Sequence, residues 1–510
     1  MKKVYLLFLS IIIVTSAVKA QGVNRNKFIS DSLDQYVNRA LTNWRIPAAA
    51  ICIVKDGKVV MMKAYGVKEL GLNNKVDINT LFMIGSNTKA FTATALAMLQ
   101  TDHKLSLDDK VTKYLPDFKL DNQYAGQEAM VRDLLCHRLG FKTFEGDFTF
   151  YNTNLTRSEV IERLGHLKAA YPFRTKWGYT NSAFLTAGQI IPKVTGKEWE
   201  VYIKENIFAP LGMINTLALS VDLPKSLNRT VPHSLVNGQL TAIPYPMLDG
   251  LASAASISSS VNDMSKWALA LLNDGKVGTR QVIPNAAIQA TRQPQDIVGR
   301  VTHLNGESNY ELYGLGWFLQ DYDNHQLVMH DGGVSGYLSS VTLVPKEHLG
   351  IIILTNTDQN EFFEALRWDI MDIYFKKPFS DYSGKYLARF KASQLADQQQ
   401  DRRIRDTVAL NSLPQLPPTE YTGKYVNDLY GSMTITQGTN NDLEIRFEHH
   451  PKMYAHLQPL GGNRFYVTFS DPIFGKAIFP FTVENGKVTG VRVKVADFVE
   501  YDPYDFKKVP

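Results

Sequence analysis

The stretch Ile84-Gly85-Ser86-Asn87-Thr88-Lys89 runs into Ala90-Phe91-Thr92-Ala93-Thr94-Ala95-Leu96-Ala97-Met98-Leu99-Gln100, small and apolar residues without a glycine or proline. This predicts a helix from Lys89 to Gln100 with Ser86 at its N-terminus, where free N–H groups and the helix dipole favour developing negative charge. Lys89 follows one turn later on the same face, so its amine can approach the Ser86 hydroxyl. Burial beside Phe91, Ala93, Ala95 and Met98 would lower the lysine pKa and make the amine a proton acceptor. A serine without such a base is a weak nucleophile. Alone, the S-x-x-K pattern decides little. It recurs at Ser16 and Lys19, and a capping serine followed by a surface lysine would satisfy it equally well.

Its companions carry the argument. Tyr179-Thr180-Asn181 stands in the context Trp177-Gly178-Tyr179-Thr180-Asn181-Ser182, before a run of small residues that reads as a helix. The Y-x-N copies at Tyr36 and Tyr425 lack the preceding Trp-Gly. His330-Asp331-Gly332-Gly333 closes a predicted strand. In this order the three motifs resemble the serine β-lactamase and penicillin-binding-protein superfamily. The match is nearest to its class C-like branch of esterases, D-aminopeptidases and D-alanyl-D-alanine carboxypeptidases. Lys104-Leu105-Ser106-Leu107-Asp108-Asp109, Tyr114-Leu115-Pro116, Arg132 to His137 with Gly140, Pro210-Leu211-Gly212-Met213, Tyr313 to Trp317 and Leu354-Thr355-Asn356 extend the resemblance over about residues 28 to 375.

The resemblance implies roles. Ser86 would attack and be acylated, Lys89 would take or relay its proton, and Tyr179 would act as a phenolate-like base and as acid to the leaving group. Neighbouring cations are the physical means of lowering a phenol pKa from about 10. Asn181, His330 and Gly332 would contact substrate, Asn181 also orienting Lys89, and the N–H groups of Ser86 and Gly333 would form the oxyanion hole. β-Lactamases and most penicillin-binding proteins carry lysine where this chain has His330. Histidine is only partly charged at neutral pH, and Asp331 would add repulsion if it faced the groove. Efficient β-lactam hydrolysis is therefore not expected. The implied activity is hydrolysis, without cofactor, of esters or short peptides containing a D-residue. The alternatives are a β-lactamase, a penicillin-binding sensor that deacylates slowly, and a scaffold whose C-terminal unit does the binding.

Around these motifs the chain divides near residue 390. Lys391 to Gln400 is polar and glutamine-rich, and Pro414, Pro417 and Pro418 follow. This composition predicts a linker over 386–417 between units at 21–385 and 418–510. The first unit opens with a helix at Asp31 to Leu41 and a hairpin, Ala48 to Val54 and Val59 to Ala64, around Asp56-Gly57. Its middle is helical, including Arg157 to Leu164 and Val261 to Leu272. It ends on strands at Gln326 to His330, Tyr337 to Val344 and Gly350 to Leu354. The expected fold is α+β: an antiparallel sheet built from both ends of the unit, with a large helical insert and a groove between them. Met433 to Ile435, Leu443 to Phe447, Arg464 to Phe469, Ala477 to Phe481 and Val488 to Val495 predict short strands, with turns at Asn440-Asn441 and Asn485-Gly486. They describe a small all-β barrel or curled sheet. This tail resembles the lipocalin-like C-terminal domain of some of these hydrolases. It could cover the groove, limit substrate length or hold protomers together as a homo-oligomer.

Bulk properties set the compartment and exclude other classes. Lys2 and Lys3, the apolar run Val4 to Val18 and the ending Val18-Lys19-Ala20 follow the order of a secretory signal cut after Ala20. The run is shorter than the roughly 20 residues of a spanning helix, so a secreted or periplasmic chain without a stable membrane span is expected. Loss of residues 1–20 takes the formal charge from +5 to +2, without the clustered basic face that nucleic acid requires. Cys52 and Cys136 are the only cysteines. An oxidising compartment would permit one bridge, but the apolar setting of Cys52 favours two buried thiols. His137 reads as a structural hydrogen-bonding residue, and adjacent His449 and His450 would point to opposite faces of a strand. No metal-binding or phosphate-loop pattern is present. The serine-rich stretch Ala252 to Ser260 reads as an active-site loop preceding a helix.

Overall fold

The computed structural model describes residues 28–302, 308–410, 412–438 and 442–509. The signal segment expected at 1–20 and the Asn440-Asn441 turn lie outside these residues. Six helices organise the description: α1 (Leu33–Trp44), α2 (Thr88–Thr101), α3 (Asn181–Gly188), α4 (Val261–Leu272), α5 (Phe362–Tyr374) and α6 (Tyr382–Ala409). The strands of the first unit are β1 (Ala48–Lys55), β2 (Lys58–Gly66), β3 (Asp296–Thr302), β4 (Ser308–Tyr313), β5 (Phe318–Tyr322), β6 (His325–Val334), β7 (Tyr337–Val344) and β8 (Leu349–Thr355). Among the described residues they form one antiparallel sheet in the order β2-β1-β8-β7-β6-β5-β4-β3. The N-terminal hairpin thus lies beside the last strand, and the sheet is built from both ends of the unit.

Local chemistry accounts for this pairing. Asp56 and Gly57 both have positive φ, 52° and 74°, which a two-residue hairpin turn of type I′ requires. β1 is covered on both faces, which is why it reads as an unbroken apolar run. Ala48, Ala50, Cys52 and Val54 face the helical insert, while Ala49, Ile51 and Ile53 face α1 and α5. Cys52 and Cys136 are buried free thiols. Burial pushes both up to about 12, so neither supplies a thiolate at neutral pH.

The polar stretch expected as a linker is largely α6, of which Tyr382, Ser383 and Tyr386 are buried. The polarity there reflects a solvated helix surface. At its start Ser383 accepts a hydrogen bond from the Trp44 indole at 3.0 Å. At its far end Asp401 pairs with Lys476 at 3.0 Å and accepts from Tyr466. The tail is a closed barrel of β9 (Gly423–Asn427), β10 (Gly431–Gln437), β11 (Leu443–Phe447), β12 (Tyr454–Pro459), β13 (Arg464–Phe469), β14 (Lys476–Glu484), β15 (Lys487–Val493) and β16 (Tyr504–Lys508).

Candidate active site

Ser86 sits in a short 3₁₀ turn, Gly85–Asn87, that runs directly into α2. Nearly every residue of α2 is buried, Lys89 included. A helix apolar on all sides belongs in a core, and this one carries a lysine with it. The Lys89 amine donates to Ser86 Oγ at 3.0 Å, to Asn181 Oδ1 at 2.7 Å and to the Ala254 carbonyl at 3.0 Å. Desolvation lowers its pKa to about 7, with the Asp147 carboxyl pulling the other way. Its environment therefore makes Lys89 a proton acceptor near neutrality. The Ala252 to Ser260 stretch supplies the Ala254 carbonyl, and its Ser260 caps α4 by accepting from Asp263 N–H at 3.1 Å.

Tyr179 and Asn181 flank the start of α3. The approach to Tyr179 is tight: a Cβ at Gly178 would collide with the Phe141 carbonyl, and Gly178 N–H donates to His137 O at 2.8 Å. His137 Nδ1 accepts from Thr180 N–H at 3.0 Å, which leaves Nε2 carrying the proton of the neutral ring. Its ring lies 4.3 Å from that of Tyr179. His137 is thus a structural prop behind the tyrosine. The Tyr179 side chain is 6% exposed and hydrogen-bonds Ser86, while the Lys89 amine lies 4.6 Å from the centre of its ring. Its pKa is raised, not lowered. Burial dominates, and Asp147 adds to it. Where a phenolate was expected, burial thus favours a neutral phenol, against the lowering by the Ser86 hydrogen bond.

The third motif lies on β6, whose alternation separates its side chains. His330 faces the site, 2% exposed. Its Nδ1 donates to the Asp331 carbonyl at 2.7 Å, so Nε2 accepts from Tyr313 O–H at 3.1 Å. Burial and the nearby Lys89 lower its pKa to about 3. It is therefore neutral, beyond the partial charge expected of a histidine. Asp331 points the other way and pairs with buried Arg367 on α5 at 2.8 Å, so it does not repel ligands in the groove. Gly332 and Gly333 lie against the Ser86 turn. A Cβ at Gly332 would strike the Ile84 carbonyl, and one at Gly85 would come within 2.9 Å of Gly333 N. Gly332, expected to contact substrate, is instead buried beneath the turn, where its missing side chain lets two backbones meet.

Residues that belong to none of the motifs complete the network. Asp147 Oδ2 accepts from Asn181 Nδ2 at 2.6 Å, and burial raises its pKa well above the ordinary value. Both polar ends of Asn181 are thus engaged, one by Lys89 and one by Asp147. From the barrel, Phe498 packs on Gly333, its ring 3.4 Å from where a Cβ would stand. Tyr501 packs against Phe144 at 5.2 Å, and Phe144 in turn meets Tyr179 edge-on at 5.5 Å. Among the described residues no cluster of His, Cys, Asp and Glu is arranged to hold a metal ion, and no helix is long and apolar enough to cross a membrane.

Known proteins are similar to this chain. The unguisins hydrolase ungD' of Aspergillus campestris is 28% identical over 444 residues, covering 82% of this chain and 81% of that protein. Protein flp of Staphylococcus aureus is 29% identical over 331 residues, 64% of this chain and 62% of that protein. Among solved structures, the octameric penicillin-binding protein homologue of Pyrococcus abyssi aligns with a TM-score of 0.60 at 20% identity, covering 93% of this chain and 99% of the other. A D-stereospecific amidohydrolase of Streptomyces sp. aligns at 0.53 and 21% identity, covering 64% and 93%. These structural likenesses establish the fold. Residues 409–508 match a domain of unknown function, DUF3471, and residues 33–374 match the family described as Beta-lactamase. The chain therefore belongs to the beta-lactamase family of serine hydrolases.

Proposed function

We propose that this chain is an exported hydrolase, cut after Ala20, that works through a Ser86 acyl-enzyme on esters or short peptides containing a D-residue. The observation that carries the reading is a buried lysine of lowered pKa 3.0 Å from the hydroxyl of a partly buried serine. In the proposed reaction Ser86 Oγ bonds to the substrate carbonyl carbon as its proton passes to Lys89 Nζ. The Ser86 and Gly333 N–H groups hold the resulting oxyanion. Collapse breaks the bond to the leaving group, which takes the Tyr179 phenolic proton, and the Lys89 ammonium restores the phenol. Water then attacks the ester, giving its proton to Lys89 and releasing the acid as Ser86 regains its own. Asn181 orients Lys89, and Gly332 makes room for the turn.

Phe498, packed on Gly333, and Tyr501, packed on the Phe144 that meets Tyr179, bring the barrel close to the site and support a preference for short substrates. A neutral His330 lacks the cation that would attract a β-lactam carboxylate, which favours esters and peptides over penicillins. The similarity to a hydrolase and to a D-stereospecific amidohydrolase leans the same way. The octameric homologue supports self-association as part of the proposal.

Intact-mass spectrometry tests the reading. The full chain and Ser86→Ala would be followed in time against a p-nitrophenyl ester, a D-alanyl peptide and a penicillin. A transient adduct on the unmutated chain alone, with continuing product release, is expected for the ester or the peptide. Equal product release from Ser86→Ala would overturn the assignment, and an adduct that persists with every substrate would make the protein a sensor.

A further inference from the structure

Glu500 belongs to the barrel, in the connection between β15 and β16, yet its carboxylate is buried against the catalytic unit. Oε1 accepts from Gly146 N–H at 2.9 Å and from Tyr430 O–H at 2.5 Å, and Oε2 accepts from Phe148 N–H at 3.1 Å. Three donors and no acceptor suit an anion. Burial opposes them and pushes the pKa up to about 7.

The residue between those two amides is Asp147, whose side chain turns inward to Asn181 and through it to Lys89. Phe148 turns outward into the barrel. Its ring stacks on His450 at 4.8 Å and meets Phe447 at 5.2 Å, Phe474 at 5.5 Å, Tyr504 at 5.6 Å and Tyr430 at 6.1 Å. One short turn is therefore gripped twice by the barrel, at its amides and at its aromatic ring, and offers its one inward carboxyl to the site. Gly146 has φ +88°, which glycine adopts without strain and other residues rarely do.

We infer that Glu500 is a positioning residue: the barrel sets the Lys89 amine against Ser86 by fixing Asp147 and, through it, Asn181. The inference rests on reading Ser86 and Lys89 as nucleophile and base. It assigns the C-terminal domain a part in reactivity that does not require it to touch substrate.

A small fluorophosphonate reports on Ser86 without knowledge of the natural substrate. In the full chain, saturation kinetics of phosphonylation, read by intact mass, separate binding (Ki) from reaction (kinact). Glu500→Gln keeps one acceptor oxygen and is expected to lower kinact about tenfold; Glu500→Ala and Asp147→Ala should each lower it about a hundredfold. Ki should stay within about twofold in all three. In the double variant Asp147→Ala/Glu500→Ala the loss should match that of either single variant, since both act through one chain of contacts. Unchanged kinact in a folded Glu500→Gln and Glu500→Ala would overturn the inference, as would losses that multiply in the double variant. If Glu500→Ala does not fold, Glu500→Gln decides alone. An unmutated chain that is not labelled at Ser86 would instead overturn the nucleophile assignment beneath it.

Discussion

The interiors of the two units are filled in opposite ways. Behind Ser86 the catalytic unit buries Lys89, Asp147, His137 and His330, all at or below 4% exposure. The barrel fills its interior with Tyr421, Tyr425, Phe465, Phe474 and Phe479, all fully buried, and with aliphatic strand residues. A barrel of eight strands is just wide enough to be filled by its own side chains, and here aromatic rings fill it. Buried ionisable groups cost stability and are kept where their shifted pKa values do chemistry; a dry aromatic interior contributes stability and shape. On this contrast the barrel is a packed body that acts through its surface and its connections rather than through an internal cavity.

The largest effect should follow from breaking the contrast on the catalytic side. Lys89→Ala removes the base and is expected to lower kcat by about 10³-fold, within the usual range for a general base, as measured by ester turnover. The pH profile sharpens the point. A Lys89 pKa of about 7 means that the neutral amine grows tenfold per pH unit below neutrality and levels off above it. Single-turnover acylation should follow that curve. Stability should run with it: between about pH 7 and 10.5 the unfolded lysine holds a proton that the folded one has released, so stability rises with pH across that window. A flat acylation profile from pH 5 to 9 would place the proton elsewhere.

Next comes the joint between the two interiors. Phe148→Ala withdraws the ring that the barrel encloses and should cost about 3–5 kcal/mol of stability, as large aromatic truncations do. Because Asp147 rides on the same turn, kcat should fall at least about tenfold with KM little changed. A variant that loses stability but keeps kcat would show that the turn holds its place without the barrel, and the two units would then be merely neighbours.

Much of this was legible from local pattern. The Ser86 turn, the burial of Lys89 and the hairpin at Asp56-Gly57 all follow from residues within a few positions of one another. β3, β4 and β5, like β9, β12 and β16 of the barrel, leave little trace in the sequence because they mix buried or half-buried with exposed residues, mostly without a clean alternation. α6 read as a linker because only three of its residues are buried, which leaves almost no apolar face to detect. Asp147 and Glu500 carry no motif. Their meaning lies in contacts between positions some 350 apart, between Gly146 or Phe148 and Glu500, and single-sequence periodicity holds no trace of such pairs. The raised Tyr179 pKa is hidden for a related reason: it follows from burial by segments distant in the sequence and from Asp147.

The smallest effect on catalysis should come from the barrel's own interior. Phe465 is fully buried, with ring neighbours Tyr421 at 5.0 Å and Phe481 at 5.2 Å, both barrel residues. Phe465→Ala removes as large a ring as Phe148→Ala and leaves a comparable cavity, so the expected loss of stability is the same, about 3–5 kcal/mol. It touches neither the Glu500 carboxylate nor the turn at 146–148. While the protein stays folded, kcat should therefore remain within about twofold of the unmutated chain. Denaturant unfolding and initial rates at a temperature well below both midpoints measure the two quantities separately. Matched stability losses with unmatched kcat losses would confine the coupling to the Phe148–Glu500 grip. Matched losses in both would mean that general loosening of the barrel, rather than that grip, is what the active site feels.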